Sequence, residues 1–145
     1  DLGMTSAPTA MLKCVAAEAP FSMPYQGREH FHFVDDVGAG FAESAQAPFD
    51  GYGVFNLRGT TVHTTDFIAM VESTAAELGI PEVNIGIAGD AETMPFANDL
   101  DDADSLAAFP AMPLTSMEEG IRHALRTFRT MHLSGELTAE YRPGG

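Results

Sequence analysis

The stretch from 27 to 37 limits the fold most narrowly, because it predicts a strand that runs directly into a helix. Side chains alternate between the two faces of a strand, so Arg28, His30 and His32 would share one face. Phe31 and Phe33 would share the other face, and phenylalanine favours a core. The strand would therefore present a cation and two imidazoles on its outer face, where we expect a ligand to bind.

The helix that follows this strand is predicted to run from about Asp36 to Ala47, with Asp35 as its N-cap. Its apolar side chains recur at the three-to-four spacing of an amphipathic helix, and they are Val37, Phe41, Ala42 and Ala45. This stripe is expected to pack on the core.

The rest of the chain alternates between strand and helix patterns in the same way. Further strands are predicted at 21–23, 54–57 and 83–87, with a turn at 24–27 and irregular chain after Gly89. Helices are predicted from a cap at Thr5 or Ser6 to Pro20, from a cap at Thr64 or Thr65 to Gly79, around Leu106, and from a capping box at 115–118 to Gly135. Their predicted buried faces include Met11, Leu12, Val15, Ala16, Phe67, Ile68, Val71, Ala75, Leu78, Met117, Ile121, Leu125 and Phe128. This order predicts an α/β fold with parallel pairing, a single domain over 1–137 and a flexible tail over 138–145.

Composition narrows the classes of partner. The 145 residues include 7 basic and 21 acidic side chains, a net charge of −14, which disfavours nucleic acids and anionic membranes. Apolar runs are too short for a membrane span. The single cysteine, Cys14, is expected to be a buried, inert thiol, and its isolation favours a reducing compartment such as the cytoplasm. The start at Asp1 predicts that the chain was cut from a longer one.

Motifs that carry chemistry are incomplete. The sequence has no phosphate-cradling glycine motif, no nucleophile elbow and only one lysine, Lys13. The pair His30 and His32 has the spacing of some metal ligands, but cleft or surface histidines are favoured over a metal site. The acidic run 98–104 lacks the glycine and glutamate of a calcium loop, so a solvated loop is favoured there. A solvated face is also favoured over an anion site for the three arginines of the last helix, Arg122, Arg126 and Arg129.

The order of segments resembles the C-terminal portion of the extended short-chain dehydrogenases/reductases, the NAD-dependent epimerase/dehydratase family. The matching segments are 6–17, Phe21-Ser22-Met23, Arg28 with Phe33-Val34-Asp35-Asp36-Val37, Val54-Phe55-Asn56-Leu57-Arg58-Gly59, Thr64-Thr65-Asp66-Phe67, Met94-Pro95-Phe96, 101–106 and Leu114-Thr115-Ser116-Met117-Glu118-Glu119-Gly120-Ile121. The resemblance implies a partial Rossmann-type arrangement of parallel strands with packing helices. It also implies a substrate-binding portion whose partner, the N-terminal cofactor-binding half, is missing.

The resemblance further implies the roles of individual residues. Arg28 matches an arginine that holds a substrate phosphate or carboxylate in many members, and Thr5, Ser6, Ser22 and His30 would line the same cleft. None of the three tyrosines is followed four residues later by lysine, so the catalytic Tyr-x-x-x-Lys pair of the family is not on this chain. No catalytic, cofactor-binding or metal-binding residue is therefore expected here.

The resemblance predicts the substrate-binding portion of an NAD(P)-dependent sugar or sugar-acid epimerase, dehydratase or reductase, with NAD or NADP bound by the complete enzyme and no activity in this chain alone. Acidic residues, Asp90 and Glu92, occur where diphosphate-binding members carry an arginine, which favours a smaller or less charged substrate. The alternative is a non-enzymatic module that binds a small ligand or a protein and forms homo-oligomers through exposed apolar faces. A cation-binding acidic module is the least favoured hypothesis.

Overall fold

A computed structural model of the chain describes residues 6–95 and 97–137 and shows an α/β fold with parallel strands and packing helices. The described elements alternate along most of the chain. In order they are α1 (Ala7–Ala16), β1 (Phe21–Gln26), β2 (Arg28–Phe31), α2 (Val34–Gln46), β3 (Thr60–His63), α3 (Thr64–Glu77), β4 (Ile85–Thr93), α4 (Ala103–Ala108) and α5 (Met117–Leu133).

The described residues divide into two compact units that are each built from separate parts of the sequence. The first unit contains 6–27, 63–95 and 118–137, and the second contains 28–62 and 97–117. The single domain over 1–137 stays a prediction, and the predicted tail at 138–145 lies outside the described residues.

The first unit is organised around a parallel pair of strands, β1 and β4. Phe21 pairs with Ile85 and Met23 with Ile87, and the register then shifts so that Tyr25 pairs with Glu92. The alternate side chains of β1 are buried, with Phe21, Met23 and Tyr25 at most 3 % exposed. One face of the strand therefore contributes to the core, as the period of two requires.

Three helices complete the core of the first unit. Their fully buried side chains include Met11 and Val15 of α1, Val71 of α3, and Leu125 of α5. Ion pairs at the surface join α5 to its neighbours: Arg122 lies 2.6 Å from Glu77, and Arg129 lies 2.5 Å from Glu18 and donates to the Ala16 carbonyl at 2.9 Å. Two of the three arginines of α5 are therefore used within the fold.

The second unit contains β2 paired with the Thr60–Val62 part of β3, together with α2 and α4. The Asp36 carboxylate in the first turn of α2 is buried and accepts two hydrogen bonds from Thr115, from the amide at 2.6 Å and from the hydroxyl at 2.8 Å. Three phenylalanine rings, those of Phe49, Phe55 and Phe109, pack with centroids 5.0–6.0 Å apart. These contacts join parts of the unit that are far apart in the sequence.

The strongly periodic segments form as predicted. The buried positions of α1 and α3 include the predicted stripes apart from Leu78, which is half-buried, and α4 covers the predicted helix around Leu106. Gly79 and Gly135 follow α3 and α5 with φ of +68° and +77°, a conformation that suits glycine at a helix end. Cys14 is half-buried, and burial raises its pKa, as expected of an inert thiol.

Several predicted strand boundaries are wrong. Residues 24–26 continue β1 instead of turning, and β4 extends to Thr93 through the stretch expected to be irregular, because pairing with β1 resumes after the register shift. The segment 54–57 is not a strand: Val54 is 81 % exposed, and Phe55 packs against Phe49 and Phe109.

Three predicted helix caps are also wrong. α2 begins at Val34 with Phe33 at the N-cap, which leaves Asp35 inside the first turn. α3 begins at Thr64, and the His63 side chain accepts a hydrogen bond from the Thr65 amide at 3.3 Å, so the N-cap is His63 rather than Thr64 or Thr65. α5 begins two residues after Thr115, whose hydroxyl donates to Asp36.

Three of the four residues in the predicted apolar stripe of α2 are exposed, and the fourth, Val37, is half-buried. Phe41 is 65 % exposed, Ala42 and Ala45 are exposed, and the buried residues of the helix are Asp36 and Gly40. Phe31 and Phe33, the two phenylalanines predicted to face the core, are half-buried rather than fully enclosed. Over the described ranges, no helix is both long and apolar enough to cross a bilayer.

Candidate functional site

Arg28 begins β2, and its guanidinium is held by an acidic partner. Nη2 donates to Asp99 Oδ1 at 2.6 Å, and the two side chains are 54 % and 62 % exposed. The strand therefore presents an arginine to solvent, as the sequence predicts, but the carboxylate already occupies one edge of its donor fork. An exposed ion pair of this kind opens at little cost in free energy.

His30 lies next along the same face and is linked to the ion pair through Thr61. His30 Nδ1 lies 2.9 Å from Thr61 Oγ1, and the same oxygen accepts the Asp99 amide hydrogen at 2.9 Å. The Thr61 hydroxyl thus holds both the imidazole of His30 and the backbone of Asp99, which is the partner of Arg28. The result is a connected cluster of Arg28, Asp99, Thr61 and His30, which we call the arginine cluster.

The other nitrogen of His30 is enclosed by the backbone. Nε2 is buried and has no hydrogen-bond partner among the described residues. A β-carbon placed on Gly59 would lie 2.6 Å from this nitrogen and 2.4 Å from the Phe31 carbonyl oxygen. Glycine at position 59 therefore permits the close approach that encloses the ring.

These surroundings lower the pKa of His30 below its ordinary value of 6.5. Burial is the largest cause, and the ring of His32, whose centroid is 4.9 Å away, is the second. The Leu57 carbonyl and the carboxylates of Asp102 and Asp99 act in the opposite direction. At a pH where an ordinary histidine is half protonated, more of the His30 imidazole is therefore neutral.

We expect the second unit to lose stability on acidification through the titration of His30. Above pH 6.5 the ring is neutral in both states, but below it the unfolded chain binds the proton more readily, so the free energy of unfolding falls as the pH falls toward the lower, folded-state pKa. His30→Asn, which keeps a polar atom toward Thr61, should remove part of this pH dependence in urea denaturation. An NMR titration of His30 with a midpoint at or above 6.5 would contradict the prediction.

The described residues predicted to line one cleft are divided between the two units. Arg28 and His30 belong to the second unit and lie in one cluster, whereas Ser6 at the N-terminus of α1 and exposed Ser22 of β1 belong to the first unit. Thr5 lies outside the described residues. Substrate binding by these residues therefore stays a prediction.

Sequence reasoning missed Asp99 and Thr61, the two residues that complete the arginine cluster. Asp99 was assigned to a solvated acidic loop, and it lies 71 positions after the arginine that it binds. The only signal was its charge, which it shares with three neighbouring aspartates. Its left-handed backbone, with φ of +51°, is a conformation that aspartate tolerates better than most residues.

The acidic run and the paired histidines form contacts with other residues of the chain. Asp102 lies 3.2 Å from Arg58, whose guanidinium also donates to the Met112 carbonyl at 3.0 Å, and Asp101 accepts the Ala103 amide hydrogen at 2.9 Å. Within 6–95 and 97–137, no three histidine, cysteine or acidic side chains are grouped closely enough to hold a metal ion.

Comparison with known proteins gives a likeness in fold. No family model matches the sequence, and no curated protein is found to match it. The chain is similar to the crystal structure of UDP-glucuronic acid 4-epimerase from Bacillus cereus in complex with NAD, with a TM-score of 0.60 and 14 % sequence identity. The match covers 87 % of this chain and 40 % of the epimerase chain, so this chain spans well under half of that protein's length. At this identity the comparison shows a shared α/β fold.

Proposed function

We propose that this chain is the substrate-binding portion of an NAD(P)-dependent sugar or sugar-acid epimerase, dehydratase or reductase. The likeness in fold to an NAD-bound epimerase over 87 % of this chain is the observation that carries the proposal. The exposed arginine of the arginine cluster supports it, because a guanidinium fork suits a carboxylate on a sugar. One fold hosts many activities, so the residues of the arginine cluster support the proposal independently of the fold.

Acidic residues in each of the two units favour a sugar acid over a nucleotide diphosphate as the substrate. Asp99 pairs with Arg28, and a substrate carboxylate can replace it as the partner of the guanidinium. On β4 of the first unit, Asp90 and Glu92 are exposed and would repel a diphosphate bound near that strand. The similar epimerase is named for a nucleotide sugar, so the proposed substrate is smaller than the one in that name.

The complete enzyme would bind NAD or NADP through a part not represented in this sequence. The chain has neither the glycine-rich cofactor turn nor the Tyr-x-x-x-Lys pair of the family that it resembles. A nicotinamide cofactor would supply hydride transfer, and this chain would orient the sugar. We therefore propose that the chain alone is inert and that its partner is the cofactor-binding half.

Substitutions of Arg28 and Asp99 should change sugar-acid binding in opposite directions. Arg28→Gln should weaken the binding of glucuronic acid by about tenfold, because it removes a charge-assisted hydrogen bond. Asp99→Asn should strengthen it, because the competing carboxylate is lost while the left-handed backbone suits asparagine. Isothermal titration calorimetry with glucuronic acid, and with neutral glucose as the control ligand, measures both effects.

Two results would contradict the proposed function. One is a sugar-acid affinity that neither substitution changes. The other is turnover of a sugar by this chain alone when NAD or NADP is added, because the proposal assigns the reacting groups to the cofactor-binding half.

A further inference from the structure

The second unit carries an aromatic groove that the proposed function does not use. Its lining includes five aromatic side chains and that of Met112, from α2, the segment 47–59 and the segment that follows α4. The aromatic residues are Phe41, Phe49, Tyr52, Phe55 and Phe109. The groove has a volume of about 360 Å³, which is in the range of sites that bind apolar groups.

Several apolar residues on and beside this groove are turned outward. Phe41 is 65 % exposed and Tyr52 is 89 % exposed, and nearby in the sequence Val34 and Val54 are 73 % and 81 % exposed. Phe41 belongs to the apolar stripe of α2, so a helix with the sequence of a core helix directs that stripe to solvent. A face of this kind is typical of a protein-interaction surface.

Acidic residues adjoin the groove lining. Glu43 and Asp50 each lie next in the sequence to a groove-lining residue, Ser44 and Phe49 respectively. Asn56, which also lines the groove, donates to the Asp101 carbonyl at 2.8 Å and so brings the backbone of Asp101 to the lining. We call Glu43, Asp50 and Asp101 the acidic edge of the groove. The described part of the second unit has nine acidic residues against two arginines, and both arginines form ion pairs with aspartates.

We propose that the aromatic groove binds a cationic amphipathic helix of a partner protein. The aromatic rings and the flexible Met112 side chain would receive the apolar face of such a helix. Lysine and arginine on its other positions would lie over the acidic edge, which gives electrostatic complementarity. This interaction does not depend on the proposed sugar-binding function, because no residue of the arginine cluster lines the groove.

Charge favours this occupant over a second copy of the chain. Two copies that met through this face would bring like-charged acidic edges together, on molecules that each carry a net charge of −14. An anionic lipid surface is disfavoured for the same reason. A cationic partner is instead attracted by the negative potential of this chain, both during approach and in the bound complex.

The test uses the full chain and a synthetic helix of about four turns with leucines on one face and lysines on the other. Two control peptides are matched to it: one has glutamate in place of every lysine, and one has the same composition in a scrambled order. Fluorescence anisotropy should show binding of the amphipathic lysine peptide alone, and the affinity should fall as salt is added.

Variants locate the peptide on the groove. Phe41→Ala and Tyr52→Ala should each weaken binding by about tenfold, because exposed aromatic residues in a groove act as anchors. Leu133→Ala removes a side chain of similar exposure, 72 %, from α5 in the first unit and should change nothing. Asp50→Asn should weaken binding and reduce its salt dependence. Circular dichroism of each variant verifies that it is folded.

Three outcomes would overturn the proposal. Equal binding of the scrambled peptide would contradict the amphipathic part of the proposal. Equal binding of the glutamate peptide would contradict the electrostatic part. Peptide binding that Phe41→Ala and Tyr52→Ala leave unchanged would place the peptide elsewhere on the acidic surface. Self-association in sedimentation that Phe41→Ala abolishes would assign the groove to a second copy of the chain.

Discussion

Gly59→Ala should lower the free energy of unfolding by about 3 kcal/mol. The new β-carbon would lie 2.4 Å from the Phe31 carbonyl oxygen, a backbone atom of β2, and 2.6 Å from the enclosed Nε2 of His30. The carbonyl belongs to the backbone, and the His30 ring is held at Nδ1 by Thr61, so the strand or the segment before β3 has to move. Urea denaturation followed by circular dichroism measures the loss.

Gly38→Ala is the matched control for this substitution. Gly38 lies within α2 of the same unit, and a β-carbon there would have no atom within 4 Å. Alanine in a helix interior is more favourable than glycine, so this variant should be more stable by up to about 1 kcal/mol. Losses of similar size in both variants would show that the close approach at Gly59 is not the cause.

The second large effect is expected for Asp36→Ala, which should also cost about 3 kcal/mol. The carboxylate is only 8 % exposed and accepts both the amide and the hydroxyl of Thr115. Its removal leaves two donors without their acceptor in a part-buried site and breaks the link between α2 and the residues before α5. Thermal and urea denaturation both report this loss.

The neighbouring Asp35→Ala provides the control for Asp36. Asp35 is exposed in the same first turn of α2 and contributes mainly through its charge near the helix N-terminus. Its substitution should change stability much less than that of Asp36. Thr115→Val, which keeps the amide but removes the hydroxyl, should fall between the two. Equal losses at positions 35 and 36 would contradict the role given to the buried carboxylate.

Helical periodicity predicted the first unit well because each of its helices buries one apolar face. The buried residues of α1 and α3 follow that rule, as do Ile121 and Leu125 of α5. The shared α/β fold with an epimerase confirms the predicted fold class. Periodicity could not give the length of β4, because its last residues pair with β1 only after a register shift, which is a contact between distant parts of the chain.

The same rule assigned the wrong face of α2 to the core. Periodicity counts Phe41 as a core residue and Asp36 as a solvent residue, but the carboxylate finds its partner 79 positions later and is buried, while the ring is exposed. The strand prediction for the segment 54–57 was wrong for a related reason, since Phe55 packs with Phe49 and Phe109 without any strand pairing. An apolar residue in a periodic pattern therefore indicates neither that it is buried nor which structure packs against it.

The candidate site was predicted in part. Strand alternation placed Arg28 and His30 on one face, and the structure joins them through Thr61 and Asp99. Sequence could not supply these two connecting residues, because neither has a local pattern that marks it. The chemistry of the arginine cluster therefore depends on tertiary contacts that only coordinates reveal.

The two units are interleaved in the sequence, and this limits the ways in which the protein can evolve. Residues 63–95 of the first unit separate the two segments of the second, so no single continuous stretch of the sequence contains all of the second unit without part of the first. Neither unit can be inherited without the other by a simple truncation. We expect descendants of this gene to diverge by substitution and by loop insertion rather than by loss of a unit.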